Sequence, residues 1–407
     1  MSTLFSSVER TRMTGSRYNE SHYPFLNTSA WPSVERVRNF WEQWFAAYPE
    51  EKKTALAARF RSSDDHPHVS ALLELFMFAV LKQSGYELEV EPPVGDLALE
   101  FLTAERPPTT SFYVECTATG RRQLDVGLDA LEADLLEAIN KTATGRFLLE
   151  IQVIERGRGA PSSRQLRADL AAWLSSLDPD NVVELLTAHS ALPELIWERD
   201  GWRITFGALP TIDNDDGEGA VGMTVSAFTP DQAQRLRNAM DGKASKYGNL
   251  GKPLVVVLNS TQFQTDRDLL TALLGDVVWH IDFASKSGTA GRKPNGVLYD
   301  ARRARNTGMS AAMHAHFNAL SFAMPDRPIT LTHHPFAGHP LPHGLFPMCE
   351  ERYFDEATGE ILSIAPTSTV SAFFGLDHGW PHYDQDPDHK VAFGKTVRSS
   401  EVRPAGS

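Results

Sequence analysis

Hydrophobic and polar positions follow two different periods along this chain, which predicts a protein of mixed helices and strands. Apolar residues three and four positions apart predict helices in three early segments. Alternation with a period of two then predicts strands after the third helix. The helices are Val34–Ala47, Glu50–Phe60 and Val69–Gln83, and the strands are Tyr86–Val90, Asp96–Leu102 and Ser111–Ala118.

A further helix and strand, Val126–Lys141 and Phe147–Ile154, follow these elements. Residues 63–156 therefore have the order helix, three strands, helix, strand, which predicts an α/β sheet of mixed α+β type. Residues 1–62 form an N-terminal helical segment in this prediction. After a linker near residues 157–163, we expect a second α/β domain over residues 164–320. Residues 321–407 are rich in proline and histidine and are expected to be irregular.

Three carboxylates stand out against this pattern. Glu74 interrupts a helix that is apolar around its whole circumference, and Glu115 is the one charge in the run Phe112–Ala118. A buried carboxylate costs several kcal/mol unless it is paired, hydrogen-bonded, protonated or bound to metal. Asp96 opens the strand between them, directly after Gly95, and Thr117 lies on the same strand face as Glu115.

Each carboxylate also has a structural alternative. Asp96 is a residue type that is common in turns. Glu115 is within reach of an arginine partner such as Arg121 or Arg122 along the chain. On this reading Glu74 and Glu115 are buried ion-pair partners in a structural or regulatory protein.

The order of a helix-borne glutamate, an aspartate opening a strand and a glutamate in the next strand resembles the PD-(D/E)XK nuclease superfamily. The resemblance implies a restriction-endonuclease-like core over residues 66–155. In this core Glu74, Asp96, Glu115 and Thr117 stand at the catalytic positions, and Asp96 and Glu115 hold Mg²⁺ or Mn²⁺. More loosely, the chain resembles actinobacterial proteins with this core, through segments such as Lys243–Leu250 and Arg305–Thr307.

Two positions depart from the superfamily motif. Gly95 replaces the proline before the aspartate, and Thr117 replaces the lysine two residues after the glutamate. That lysine positions the attacking water and offsets charge on the phosphate. The candidate cations to replace this lysine are Arg121, Arg122 and Lys141.

The resemblance implies a metal-dependent nuclease that acts on DNA rather than RNA, in restriction or phage defence, and it leaves a homodimer open. The alternative is a catalytically inactive nuclease fold that binds nucleic acid or protein. The net charge of −13 counts against a strong, non-specific DNA binder, although it says nothing of local basic patches. We interpret the basic side of the helix Asp231–Tyr247 as a solvated face.

Composition bears on the cellular location of the protein and on whether it has a zinc site. The 407 residues contain two cysteines, no signal-peptide pattern and no apolar run of membrane-spanning length, so we expect a cytoplasmic protein with no membrane partner. Histidines gather late in the chain, but their spacing matches no established zinc pattern, and we interpret them as surface and loop residues. They are His314, His316, His333, His334, His339 and His343.

Overall fold

The structure of the chain is a computed structural model that describes most of its residues. The described ranges are 2–16, 20–106, 111–119, 147–155, 161–188, 192–210, 221–226, 232–260, 266–282, 287–300, 303–324, 329–355 and 360–386, with positions 135, 138, 139, 142, 157 and 159. Within these ranges no helix is long and apolar enough to cross a membrane.

Helices occur both early and late in the described chain. They are α1 His22–Thr28, α2 Pro32–Ala47, α3 Glu50–Phe60, α4 Asp65–Gln83, α5 Ser163–Ser175, α6 Pro179–Thr187, α7 Gln232–Ala244, α8 Asp266–Leu274 and α9 Val370–Phe373, with a 3₁₀ turn at Tyr383–Gln385.

Strands are short at first and longer later. They are β1 Leu88–Val90, β2 Pro93–Val94, β3 Leu97–Ala98, β4 Phe101–Thr103, β5 Tyr113–Thr119, β6 Phe147–Glu155, β7 Glu194–Arg199, β8 Trp202–Pro210, β9 Val221–Ser226, β10 Leu254–Ser260, β11 Val277–Asp282, β12 Ser287–Arg292, β13 Tyr299–Asp300, β14 Arg303–Ala304, β15 Ala311–Ala315, β16 Ile329–His333, β17 Cys349–Phe354 and β18 Ile361–Ile364. The mixed α+β class predicted from the sequence is confirmed.

The chain divides into two compact units. The first contains Met1–Thr11, Ser21–Gly120 and Asp231–Tyr383, and the second contains Arg12–Glu20, Arg121–Pro230 and Asp384–Ser407. Most of the second unit is therefore an insertion in the chain of the first, between β5 and α7.

An eight-stranded mixed sheet forms the centre of the first unit, in the order β1-β4-β5-β10-β15-β16-β17-β18. Strands β1, β4 and β5 are antiparallel, whereas β10 is parallel to both β5 and β15. Every residue of β10 is buried, as expected for a strand covered on both faces. The apolar sequence of β10 thus explains its central place.

Helices cover the two faces of this sheet. On one face α4 packs with Val114 and Cys116 of β5 in a core that also includes residues of α1, α2 and α3. On the other face α7 and α8 pack with Val256 of β10 and with Tyr113 of β5. Because successive side chains of a strand alternate, Glu115 points to the α7 face, away from α4.

The second unit has its own sheet, in the order β7-β8-β6-β9. Strand β6 is antiparallel to β8 and parallel to β9. Leu166 and Leu170 of α5 pack against Trp202 and Phe206 of β8 in a separate hydrophobic core. This unit forms its core without residues of the large sheet.

The strand pairing differs from the predicted domain boundaries in three places. Phe147–Ile154 was expected to complete the sheet of the nuclease-like core, but β6 lies in the second unit. The fourth strand beside β5 is β10, which we had placed with α7 in a second domain. Residues 321–407, expected to be irregular, contribute β16, β17 and β18 to the large sheet. Each error has one cause, because periodicity identifies a strand but not its partner.

His68, near the start of α4, makes the stability of the first unit sensitive to acid. Its side chain is 1% exposed, and its Nδ1 lies 2.5 Å from the carbonyl oxygen of Phe60. Burial lowers the pKa of His68 to about 4, although the hydrogen bond to Phe60 opposes this shift. The folded protein therefore keeps this ring neutral at a pH where the unfolded chain would protonate it.

We predict that the free energy of unfolding falls as the pH drops from 6.5 to 4, because only the unfolded chain binds a proton at His68 in this window. The loss attributable to His68 is about 3 kcal/mol from the size of the shift. Urea unfolding of the wild type and His68→Gln at pH 7 and pH 4 measures it. His66→Gln, at an exposed histidine two residues earlier, is the matched control. Equal pH dependence in the wild type and His68→Gln would contradict the prediction.

Candidate functional site

Glu115 lies in the middle of β5 with 1% of its surface exposed. The strand forms because β-branched and aromatic residues surround the glutamate. It pairs with β10 from Tyr113 to Thr119 and with β4 at Tyr113 and Val114. The side chain points to the face covered by α7. A carboxylate in this position needs a compensating charge or proton.

Lys243, in the last turn of α7, provides that charge. Its Nζ donates a hydrogen bond to Oε1 of Glu115 at 2.5 Å. Burial would lower the pKa of Lys243, but the hydrogen bond to Glu115 and the negative charge of Glu100 raise it overall. The side chain of Lys243 is 28% exposed, so the ion pair has one buried partner and one that solvent reaches.

A second carboxyl group, that of Glu100, lies beside Glu115. Glu100 precedes β4, and its Oε2 accepts a hydrogen bond of 3.0 Å from the backbone N–H of Cys116. Burial raises the pKa of Glu100 to about 9, and the adjacent Glu115 adds to this shift through a hydrogen bond and its charge. Two carboxyl groups that are hydrogen-bonded to each other share a proton or are bridged by a cation.

Tyr247 closes one side of this group. Its hydroxyl donates to the carbonyl oxygen of Ala98 at 3.0 Å and accepts a hydrogen bond of 2.9 Å from Nζ of Lys246. Burial raises the pKa of Tyr247, as does the negative charge of Glu115. The phenol therefore stays protonated, and it lies beside the two carboxyl groups as an uncharged polar group.

The second carboxylate oxygen of Glu115 differs from the first, which Lys243 contacts. Within the described part of the chain, Oε2 of Glu115 is buried and receives no hydrogen bond from a fixed donor. Together with the carboxyl group of Glu100 it provides the oxygen ligands that Mg²⁺ and Mn²⁺ prefer. The residues present therefore fit a hard divalent cation held by Glu100 and Glu115.

The structure separates the residues that the sequence grouped together. Asp96 is exposed in the turn of the β2–β3 hairpin, where Gly95 has a φ of +59°, and β4 begins only at Phe101. The acidic neighbour of Glu115 is Glu100, and Asp96 occupies the turn position that the sequence had left as its alternative. Thr117 is half-buried in β5 and shares the face of Glu115 by alternation.

Glu74 belongs to the opposite face of the sheet. In α4 it accepts a hydrogen bond of 2.6 Å from the hydroxyl of Tyr48, and Nη2 of Arg59 lies 2.7 Å from its other oxygen. Both carboxylate oxygens are thus satisfied, one by Arg59 of α3 and the other by Tyr48, the residue after α2. For Glu74 the geometry matches the structural reading, a buried ion-pair partner.

Glu100, Lys243 and Tyr247 were missed in the sequence. Glu100 carries a usable signal, because it stands alone between Leu99 and Phe101 in an apolar segment. Lys243 lies in the last turn of α7 and Tyr247 lies three residues beyond its end, and nothing local in the sequence shows that this segment meets β5. The substitute cations considered earlier, Arg121, Arg122 and Lys141, lie outside the described residues.

None of the family models, curated proteins and solved structures compared with this chain matches it.

Removing Lys243 should leave the charge of Glu115 buried and uncompensated. We predict that Lys243→Met lowers the free energy of unfolding by about 3 kcal/mol. Because Glu115→Gln removes the same interaction, the double variant should lose less than the two single losses added together, by at least about 1 kcal/mol. Urea denaturation of the four proteins measures this coupling. Additive losses would contradict the ion pair. Lys82→Met, at an exposed lysine in the last turn of α4, is the control and should change stability by about 0.5 kcal/mol or less.

Proposed function

We propose that this protein is a metal-dependent nuclease that hydrolyses phosphodiester bonds in DNA, with Glu100, Glu115 and Lys243 as its catalytic group. The observation that carries the proposal is the position of the Glu115 carboxylate. It is buried in a strand of the large sheet, between a second carboxyl group and a lysine ammonium.

The order of elements in the first unit supports this reading. Helix α4, strands β1, β4 and β5, helix α7 and strand β10 follow one another in the order implied by the PD-(D/E)XK resemblance. The sheet order β1-β4-β5-β10, with β10 parallel to β5, makes α7 the crossover helix between two parallel neighbours. In this proposal the second unit is an insertion in that crossover.

In this proposal, the roles of two motif residues are performed by residues elsewhere in the chain. Glu100, which lies four residues after Asp96 and directly before β4, has the role expected of Asp96. Lys243 takes the part of the lysine that Thr117 replaces. A catalytic ammonium has to reach the site in space, not at a fixed spacing in sequence, and Lys243 does so from α7.

Mg²⁺ or Mn²⁺ would be held by Glu100 and Glu115. When bound, such an ion lowers the pKa of a coordinated water and offsets negative charge on the phosphate. The amide of Cys116 orients Glu100 through its hydrogen bond to Oε2, and Lys243 orients Glu115 through Oε1. These contacts fix the two carboxyl groups before any ligand arrives.

Lys243 has the geometry to act on the reacting phosphate. An ammonium has three N–H donors, and Glu115 occupies one of them. The other two can donate to the attacking water and to a phosphate oxygen, where they stabilise the charge that develops. Water then bonds to phosphorus while the bond to a bridging oxygen breaks, and the proton lost by water ends on the leaving group.

The second candidate is an inactive nuclease fold that binds nucleic acid or protein. Thr117 at the position of the motif lysine favours it, as does the net charge of −13, which opposes broad contact with phosphates. Restriction or phage defence rests on the superfamily resemblance alone.

We predict that the wild type cleaves plasmid DNA when Mg²⁺ or Mn²⁺ is added. Glu100→Gln and Glu115→Gln should each lower the cleavage rate about 100-fold or more, because each removes a ligand charge from the reacting centre. Asp96→Asn is the matched control, and it should retain the wild-type rate because Asp96 lies in an exposed turn.

The results for cleavage and melting together distinguish the nuclease from the inactive binding protein. If Asp96→Asn abolishes cleavage and Glu100→Gln does not, the assignment of Glu100 is wrong. A melting temperature that rises with Mn²⁺, without cleavage of DNA or RNA, would identify the inactive binding protein. If Mn²⁺ changes neither melting nor cleavage, the nuclease proposal fails.

A further inference from the structure

Three potential metal ligands meet at one end of the large sheet, on strands far from Glu115 in the sheet order. His333 ends β16 and Glu351 lies in the adjacent parallel strand β17, where it is paired with Leu331. Nε2 of His333 lies 3.3 Å from Oε2 of Glu351, and Nδ1 of His343 lies 2.9 Å from the same oxygen. All three ligand atoms lie within 4.8 Å of one another.

These separations suit a transition-metal ion. Bonds of about 2.0–2.1 Å in a tetrahedral zinc site place the ligand atoms about 3.3 Å apart. Small side-chain movements would thus bring His333, His343 and Glu351 to a common centre. Two neutral imidazoles and one carboxylate are ligands typical of Zn²⁺ and its neighbours, whereas Mg²⁺ prefers oxygen.

The surroundings hold these ligands in place. The backbone N–H of Gly344 donates a hydrogen bond of 2.7 Å to Oε1 of Glu351, which leaves Oε2 directed at the two histidines. Gly344 has a φ of +77°, and this left-handed turn returns the loop after β16 to the sheet. The ring of Tyr353, two residues along β17, packs edge-on against His343 at 5.4 Å. Supporting contacts of this kind orient metal ligands in known sites.

The adjacent histidine has a different environment. Nε2 of His334 lies 2.6 Å from the carbonyl oxygen of Arg305, and its Nδ1 accepts a hydrogen bond from the N–H of Phe336. Both ring nitrogens of His334 are therefore occupied by backbone groups. The convergence on Glu351 is specific to His333 and His343, whose ring centroids are 4.2 Å apart.

We propose that His333, His343 and Glu351 form a binding site for a divalent transition-metal ion of the zinc class, with a fourth coordination position open to water. The ion replaces the two protons that otherwise lie between the imidazoles and the single oxygen of Glu351. His333 and Glu351 are buried, whereas the side chain of His343 is 54% exposed, so solvent reaches the site from the side of the loop.

The bound ion would connect the loop of residues 334–348, through His343, to two strands of the sheet. Binding to the folded state alone raises stability by mass action. Three protein ligands with one open position is also the arrangement of zinc sites that activate water, as distinct from closed structural sites. This site would therefore differ from the carboxylate site of Glu100 and Glu115 both in its ligands and in the metal that it prefers.

Titration of the chelator-treated protein with Zn²⁺ and Co²⁺ tests the proposal. We expect one equivalent of metal to bind per chain at this site, with the absorption spectrum of four-coordinate Co²⁺. His343→Ala and Glu351→Gln should each weaken metal binding at least about 100-fold. The loss of a residue that only supports a ligand already weakens metal affinity by up to about 100-fold. His339→Ala, at a histidine of the same loop outside the cluster, should bind as the wild type does.

Two further measurements keep the test independent of folding and of the nuclease proposal. X-ray absorption of the Zn²⁺-loaded wild type should show two imidazole ligands and oxygen ligands. Glu115→Gln should keep wild-type Zn²⁺ affinity whether or not the protein cleaves DNA. The proposal is overturned if the wild type binds no Zn²⁺ or Co²⁺, or if folded His343→Ala and Glu351→Gln bind as tightly as His339→Ala.

Discussion

The charge of Glu115 has to be balanced inside the sheet, and the arrangement of the first unit around β5 meets this requirement. A buried carboxylate without a partner costs several kcal/mol, a large fraction of the stability of an ordinary domain. Lys243 supplies the positive charge from α7, and Glu100 supplies a second carboxyl group that holds a proton or shares a cation. The outcome is an ion pair with one buried and one partly exposed member.

The topology of the first unit follows from the same contact. Strand β10 is parallel to β5, so the chain has to cross over between them, and α7 is the helix of that crossover. Lys243 is therefore brought to Glu115 by a segment that follows it by 128 residues, with most of the second unit between them. On the other face of the sheet, Glu74 is balanced separately by Tyr48 and Arg59. The two buried glutamates are thus balanced by different partners on opposite faces of the sheet.

Local periodicity was enough to predict the helices α2, α3 and α4 and the strands β5 and β6 from the sequence. It also identified Glu74 and Glu115, because a charge in an apolar run is visible without any structure. Pairing was not predictable in this way. The position of β10 beside β5 depends on a crossover that no local pattern encodes.

The differences between the predicted and the observed surroundings of these residues have the same origin. Asp96 follows a glycine, and the same two residues are typical both of a strand start and of the exposed turn that they form here. Lys243 was interpreted as solvated because its helix is polar on that side in sequence. His333 and His343 were interpreted as loop residues, since their relation to Glu351 exists only once β16 and β17 pair.

Moving the ammonium that we propose to be catalytic from α7 to β5 tests the central claim most directly. Lys243→Met should abolish metal-dependent cleavage, and adding Thr117→Lys to it should restore a measurable part of the rate. Thr117 shares the strand face of Glu115, so a lysine there extends toward the same carboxylate. The rates are compared at a temperature where all three proteins are folded. Wild-type cleavage by Lys243→Met alone would contradict the account, because the ammonium beside Glu115 would then have no part in the reaction.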